Sequence, residues 1–552
     1  MRDEWMAAAA GERPADRVFS HATIFNPFDR SWEEADIAVC DGVVVGIGSY
    51  RGWVEIDLGG AEVVPGLIDA HVHIESSLLT PCEFGRVVLP RGTTTVVADP
   101  HEIANVAGIA GIDFILDEAR HTPLDILVMV PSCVPATPLD TGGAVLSADD
   151  IAPFRDREGV IGLGEMMNVP GVLGCDPEVW KKLSLFPVVD GHAPGLSGPA
   201  LNAYVLAGID SDHECTDLAE AREKLRRGMF VMIREGSTER NLAALAPLLG
   251  TDGAHRCCFA TDDRHADLLV DGGHIDDCIR KAIEAGVERE AALCTATLSA
   301  ADRFGLHDRG ALAPGRIADF CVLDDSSIFS VNRTYKRGSL VGDLPFRQAR
   351  CESPPFLCHI PEPSDLAITG SGTARVIGLI PHQVMTADLR YRVEGADLPD
   401  PSRDILIAVV CDRYRGEGFG LGLVHGFGIQ EGAIAASVSH DSHNVVAVGA
   451  GREDLSAAIR EVVRHGGGMA AVRDGENTFL SLSCGGLMSP GTAAEVRSRL
   501  ADLQAATRSM EAVDQPFMYL SFLALTVIPA LRLTERGLVD VETFSPVSLF
   551  LE

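Results

Sequence analysis

Two histidines separated by a single residue, His71 and His73, close an apolar run that reads as a strand. Alternate residues of a strand face the same way, so both imidazoles can reach one metal ion. Later apolar runs also end in ligand types: Glu165, His192 after Gly191, Asp212-His213-Glu214, and Thr261-Asp262-Asp263. His71, His73, His192, His213, Glu165 and Asp262 form a set suited to two divalent metals that share a bridging carboxylate and hydroxide. Two other runs end in Asp99-Pro100-His101-Glu102 and Arg234-Glu235. Asp99, His101, Arg234, Glu235 and Asp263 are therefore candidates for orienting the ligands or gripping a substrate. Far downstream, His440-Asp441-Ser442-His443-Asn444 gathers His440, His443 and a carboxylate in one polar stretch. Such a stretch can close over a substrate, hold a further metal, or simply turn the chain.

Ligands this far apart need a scaffold that gathers strand ends. Between residues 62 and 305, apolar β-rich runs alternate with helical stretches, with strands expected at 63–70, 94–98, 126–130, 160–164, 187–190, 208–210, 229–233 and 257–261. Near-continuous apolar runs are what strands buried on both faces require. Eight such units predict an α/β fold of the (β/α)8 TIM-barrel type over 65–308, with chemistry at the carboxyl ends of the strands. An open doubly wound sheet would carry G-x-G-x-x-G after a strand, and none is present. Short strands with turn punctuation precede and follow the barrel region. Asp41-Gly42 marks a hairpin. Residues 1–16 read as a disordered polar leader, 351–363 as a Pro- and Cys-bearing connector, and 366–552 as a mixed α+β region.

Composition narrows the chemistry. The chain has 552 residues, 46% apolar, enough for several domains and too apolar for disorder. Its 46 basic against 79 acidic residues give a net charge of −33, which argues against nucleic-acid polymers and anionic membranes as partners. No run approaches the ~20 apolar residues of a membrane span, and no secretory leader is evident. The 14 cysteines are scattered without any C-x-x-C, so a cytoplasmic protein with ordinary buried thiols is expected. None of the lysines (181, 182, 224, 281 and 336) follows a glycine, which excludes a phosphate-binding P-loop.

Longer motifs add a resemblance. Pro65-Gly66-Leu67-Ile68-Asp69-Ala70-His71-Val72-His73 resembles the first-strand motif of the amidohydrolase superfamily, and Ala313-Pro314-Gly315-Arg316-Ile317-Ala318-Asp319 resembles its return to a small β-sandwich. His73–Ser77, Asp99–Val106, Gly191–Gly198, Asp212–Cys215, Ile233–Ser237, Cys258–Arg264, Ser439–Asn444 and Gly485–Ser489 are similar to the bacterial adenine deaminase family. The similarity runs from about residue 18 to 490. It departs at Asp190, where the family commonly has cysteine, and at Ala193.

The resemblance implies a catalytic barrel, a small β-sandwich from both flanks (17–64 and 309–360), and an extra C-terminal domain. It implies hydrolysis of adenine to hypoxanthine and ammonia in purine salvage, with two Mn(II) or Fe(II) ions, Zn(II) being the alternative. It also implies a small-molecule substrate, and a homo-oligomer is expected because large cytosolic enzymes are often symmetric homo-oligomers. Some superfamily members bridge their metals with a carbamylated lysine; no lysine lies near a strand end here, so Glu165 is the bridging candidate. On this reading Asp262 accepts the proton of the attacking water and Glu102 donates to the purine ring. The rivals are an amidohydrolase acting on another purine or cyclic amide and, from another class, a non-catalytic scaffold on a retired barrel. The other zinc deaminase pattern, H-x-E with P-C-x-x-C, lacks its second half.

Overall fold

A computed structural model of the chain describes residues 2–325, 328–348, 351, 353–381, 383–393 and 398–551. Residues 1, 326–327, 349–350, 352, 382, 394–397 and 552, which fall in the expected leader, sandwich flank, connector and C-terminal region, lie outside the described residues.

Eight short parallel strands carry the strand ends singled out above. Five form one sheet in the spatial order Val189–Gly191, Val160–Met166, Asp125–Val130, Thr93–Ala98, Leu67–Val72. Three form another, Ser211–Asp212, Phe230–Arg234 and Cys257–Ala260. All pairings within both sheets are parallel. Helices alternate with them, among them His101–Ala107, Leu218–Arg226 and Ile275–Glu284. The two sheets meet where Val72 bridges Asp262, with Asp262 N–H donating to the His71 carbonyl at 3.0 Å.

Two strand boundaries differ from expectation for local reasons. The run 63–70 divides at Gly66, so Glu62–Pro65 pairs with the flanking sheet while Leu67–Val72 joins the parallel one. A Cβ at Gly66 would meet the Thr94 hydroxyl at 2.2 Å, so only glycine fits this crossover. The strand expected at 208–210 is Ser211–Asp212 instead.

The flanks of the parallel set form one hydrogen-bonded eight-stranded sheet. The cause is the long strand Ala15–Asn26, which pairs in parallel with Gly52–Asp57 at one end and Glu62–Pro65 at the other. Phe19, Phe320 and Tyr335 pack edge and face at its core. The expected disordered leader is corrected: Arg2–Ala9 is a helix. Ala8 is buried, Trp5 donates to Asp41 at 3.0 Å, and the Tyr50 hydroxyl donates to the Ala9 carbonyl at 3.0 Å, so the sheet covers one face of the helix.

The C-terminal region holds an eight-stranded mixed sheet, a three-stranded sheet and the helices Arg452–Arg464, Ala493–Ser509 and Pro516–Ser521. It lies against the parallel set: Ser489 N–H donates to the Leu78 carbonyl at 2.8 Å, and Thr137 and Thr526 share a 2.7 Å hydroxyl contact. A disulfide joins Cys351 to Cys484, 133 residues on, a pairing that no spacing motif announced. Among the described residues, no helix is long and apolar enough to cross a membrane.

Candidate active site

The carboxyl ends of the parallel strands converge on one rim. His71 and His73 leave the first strand with their Nε2 atoms 3.2 Å apart. His73 Nδ1 donates to the Asp99 carbonyl at 2.9 Å, which fixes the tautomer and leaves Nε2 as a ligand atom. Asp262 Oδ1 lies 3.2 Å from His73 Nε2 and 3.7 Å from His71 Nε2. Glu165 ends the fourth strand and reaches both histidine pairs. Its Oε1 is 3.3 Å from His73 Nε2, while its Oε2 is 2.6 Å from His192 Nδ1 and 3.2 Å from His213 Nε2. A carboxylate so placed can bridge two ions.

The donor set fits a metal pair. His71–His73–Glu165, His71–His213–Asp262 and Glu165–His192–His213 each bring three ligand atoms within reach of one ion. Both ring nitrogens of His213 and Nδ1 of His71 are buried without a hydrogen-bond partner, an arrangement that coordination would relieve. Burial alone would raise the Glu165 and Asp262 carboxyls. The His192 and His213 rings hold Glu165, and the His73 ring and Arg234 hold Asp262, well below the usual carboxylate range. Burial and the neighbouring His213 and His73 keep His71 well below its ordinary value, the neutral form a ligand needs.

A buried polar layer aims these ligands. Asp99 Oδ2 accepts the Glu165 backbone N–H at 2.9 Å. Asp69 accepts the backbone N–H groups of His71 and Thr261, and its other oxygen lies 2.9 Å from His274 Nε2. Asp212, beside His213, accepts from Ala193 N–H and from Lys224 Nζ at 2.8 and 2.9 Å. Lys224 arrives on the helix Leu218–Arg226, whose first turn is capped by Asp217. Asp190 sits between Arg303, at 2.7 Å, and His71 Nδ1, at 4.0 Å.

Beyond the ligands the sequence-derived candidates divide. His101 Nδ1 lies 3.3 Å from Glu165 Oε1, and His101 Nε2 lies 3.6 Å from Glu102. Arg234 donates to Asp262 Oδ2 at 2.8 Å and forks onto both oxygens of Glu214. Asp263 accepts from the Ser76 hydroxyl. Glu235 does not join the cluster: its carboxylate pairs with Lys281 at 2.7 Å, outside the rim. His440 and His443 grip Glu102, one on each carboxylate oxygen.

That grip sets the charge of Glu102. Burial would raise its carboxyl, but His440 and His443 hold it well below the usual range, so it is an ionised acceptor. Burial lowers the His440 ring, but Glu102 and Asp263 push it up to about 10. Glu214 was missed as a site residue. Its signal was its place directly after His213 at a strand end.

The chain matches the profile of the amidohydrolase family over residues 63–341 and that of the adenine deaminase C-terminal domain over 383–545. It is 63% identical to an adenine deaminase of Methanoculleus marisnigri, across 94% of this chain and 100% of that protein. It is 45% identical to an adenine deaminase 2 of Carboxydothermus hydrogenoformans across 98% of each. Among solved structures it is similar to an enamidase of the amidohydrolase superfamily, with TM-score 0.46 and 19% identity over 60% of this chain and 98% of that one.

Proposed function

We infer that this chain, which belongs to the adenine deaminase family of the amidohydrolases, hydrolyses adenine to hypoxanthine and ammonia. The observation that carries the reading is Glu165 spanning two histidine pairs beside Asp262, at the rim of a parallel strand set.

The two parallel sheets are read as one (β/α)8 barrel. The Val72–Asp262 bridge supports one seam, and the Ser211 hydroxyl, in contact with Gly191 N–H and Asp190, supports the other. His71, His73 and Asp262 would hold one divalent ion, His192 and His213 a second, and Glu165 would bridge them, with Mn(II) or Fe(II) as the proposed metals. Bound there, the ions supply a water whose pKa falls toward ~7, and so a nucleophile near neutral pH.

The chain's own groups do the rest. Asp262 accepts the water proton as the new C6–O bond forms. Arg234 on Oδ2 leaves Oδ1 turned toward the histidines. Electron density displaced onto N1 takes a proton that His440 holds at rest and Glu102 passes on. As the C6–N6 bond breaks, the departing amine receives the Asp262 proton and leaves as ammonia; the C6 hydroxyl proton is released as the C6=O bond forms and replaces the one His440 gave up, so adenine plus water balances hypoxanthine plus ammonia. We place the enzyme in the cytoplasm as a homo-oligomer acting on a small molecule; the net charge of −33 supports the absence of a nucleic-acid or anionic-membrane partner.

The test is ammonia release from adenine by Mn(II)-loaded protein, with metal content measured alongside. Turnover with about two ions per chain is expected. Asp262→Asn should cost on the order of 10²–10⁴-fold in kcat. Near-normal turnover by that variant would refute the base assignment, and an idle wild type that processes guanine or a cyclic amide would refute the substrate.

A further inference from the structure

The segment 439–444 joins the strands Ala433–Ala436 and Val445–Gly449 of the C-terminal region. It lies far from Glu102 in the chain, with separations of 338 and 341 residues to its two histidines. Yet His440 Nδ1 meets Glu102 Oε1 and His443 Nε2 meets Oε2, with all three side chains buried. Two histidines and a glutamate are also a common metal-binding set, so the same residues admit two readings.

The far side of the His443 ring decides between them. The backbone N–H of Ser439 donates to His443 Nδ1 at 3.2 Å. Nδ1 is therefore the nitrogen without a hydrogen, and in the neutral ring Nε2 carries it. Nε2–H facing Oε2 is a donor to a carboxylate and has no lone pair for an ion. A metal at this place needs the opposite tautomer, which would set two N–H groups against each other.

The backbone around the pair is pinned. His440 N–H donates to the Ser521 carbonyl at 2.8 Å, and His443 N–H donates to the Ser439 carbonyl at 2.6 Å. The Tyr414 hydroxyl donates to the Ser442 carbonyl at 2.6 Å, and the Asn444 amide donates to the Thr141 carbonyl at 3.1 Å. The His440 ring stacks on Phe522 with centroids 4.8 Å apart.

We propose that this C-terminal segment is a working part of the catalytic centre, with His440 and His443 as positioning residues that fix both oxygens of Glu102 for the substrate ring. The inference rests on the reading of the rim as an adenine-hydrolysing site. A carboxylate held at both oxygens cannot swing, and each oxygen keeps a second lone pair for a ring nitrogen or its hydrogen. The two histidines differ in duty. His443 sets orientation, because the Ser439 N–H locks its tautomer. His440 holds the other oxygen through Nδ1, with its ring stacked on Phe522.

The test uses the full chain. In Mn(II)-loaded protein, His443→Leu should lower kcat on the order of 10²-fold, the cost of a misplaced group, with KM and metal content unchanged. His443→Gln, whose amide N–H still reaches Oε2, should recover much of that loss. A purely structural role would lower both variants alike and would overturn the proposal, as would loss of a third equivalent of metal from His443→Leu. Independently of turnover, nitrogen NMR of Zn(II)-loaded protein carrying labelled histidine should show His443 protonated at Nε2, its signal identified by its absence in His443→Gln. Protonation at Nδ1 would overturn the proposal even if adenine is the substrate. If wild type leaves adenine untouched, the functional reading falls while the tautomer still judges the clamp.

Discussion

Asp140 offers a pH test of the joint between the parallel set and the C-terminal region. Thr137 and Thr526, one from each side of that joint, donate their hydroxyls to the same oxygen, Oδ2, at 2.9 and 2.5 Å. Burial pushes the Asp140 carboxyl up to about 7, with Asp441 and Glu535 adding to the rise and the two hydroxyls opposing it. Its folded value therefore lies above the unfolded value of 3.8. Between those values the native state binds more protons than the unfolded chain, so stability falls as pH rises through the window. The gap is about three units, about 4 kcal/mol at about 1.36 kcal/mol per unit. In Asp140→Asn the amide oxygen can take the place of Oδ2 and keep both hydroxyl donors, but the group cannot ionise. The variant should match wild type near pH 4 and exceed it by up to about 4 kcal/mol near pH 8. Thermal melts of both metal-loaded proteins across this range read the difference as a gap of several degrees that opens with pH. A variant that melts with or below wild type at the alkaline end, or a gap of equal size at both ends, would refute the reasoning.

Two further outcomes follow from the buried layer behind the ligands. Gly164→Ala would set a Cβ 2.1 Å from Asp99 Oδ2, the atom that holds the Glu165 backbone; because Asp99 is buried and cannot swing away, metal content measured by mass spectrometry should fall along with activity. Lys224→Met would leave the Asp212 carboxylate buried beside His213 without its cation, a loss of about 3–5 kcal/mol in denaturant unfolding, and a variant as stable as wild type would remove Lys224 from the support of that ligand.

The convergence of the candidate ligands was legible because it obeys strand geometry. Most of the parallel strands deliver a polar residue to one rim, so asking what ends each apolar run picks out His71, His73, Glu165, His192, His213 and Asp262, which the structure brings together. The same rule, applied strictly, would have excluded Glu235. Arg234 faces inward to Asp262, so its neighbour on the strand must face outward, where Lys281 meets it. The grip on Glu102 was not legible. His440-Asp441-Ser442-His443 shows two imidazoles in a turn, but their partner lies 338 residues away and the deciding hydrogen bond comes from a backbone N–H. The helix Arg2–Ala9 was missed because its apolar face is short and is covered only by the sheet around Tyr50. The Cys351–Cys484 pairing depends on how the connector crosses the C-terminal region, which no local pattern encodes.

The proposal that Glu165 bridges the metals rests as much on where the cations are spent as on where Glu165 sits. A lysine serving as a carbamate bridge must bring a free, uncharged amine to the rim. Lys182 donates to the carbonyls of Ser132 and Leu146 at 2.8 and 2.7 Å. Lys224 is tied to Asp212 and Glu220, Lys336 to Asp125 and Asp319, Lys281 to Glu235 and Asp277, and Lys181 to Asp149. Every lysine is thus committed as an ammonium to a carboxylate or a carbonyl, and none of those partners is a proposed ligand. In a chain carrying 79 acidic residues against 46 basic ones, such commitment is the expected fate of a buried cation. A bridge at this rim would then be a side chain that is already an anion, within reach of both histidine pairs and held in place by its own backbone. Glu165 meets all three conditions: its two oxygens reach His73 on one side and His192 and His213 on the other, and Asp99 holds its N–H.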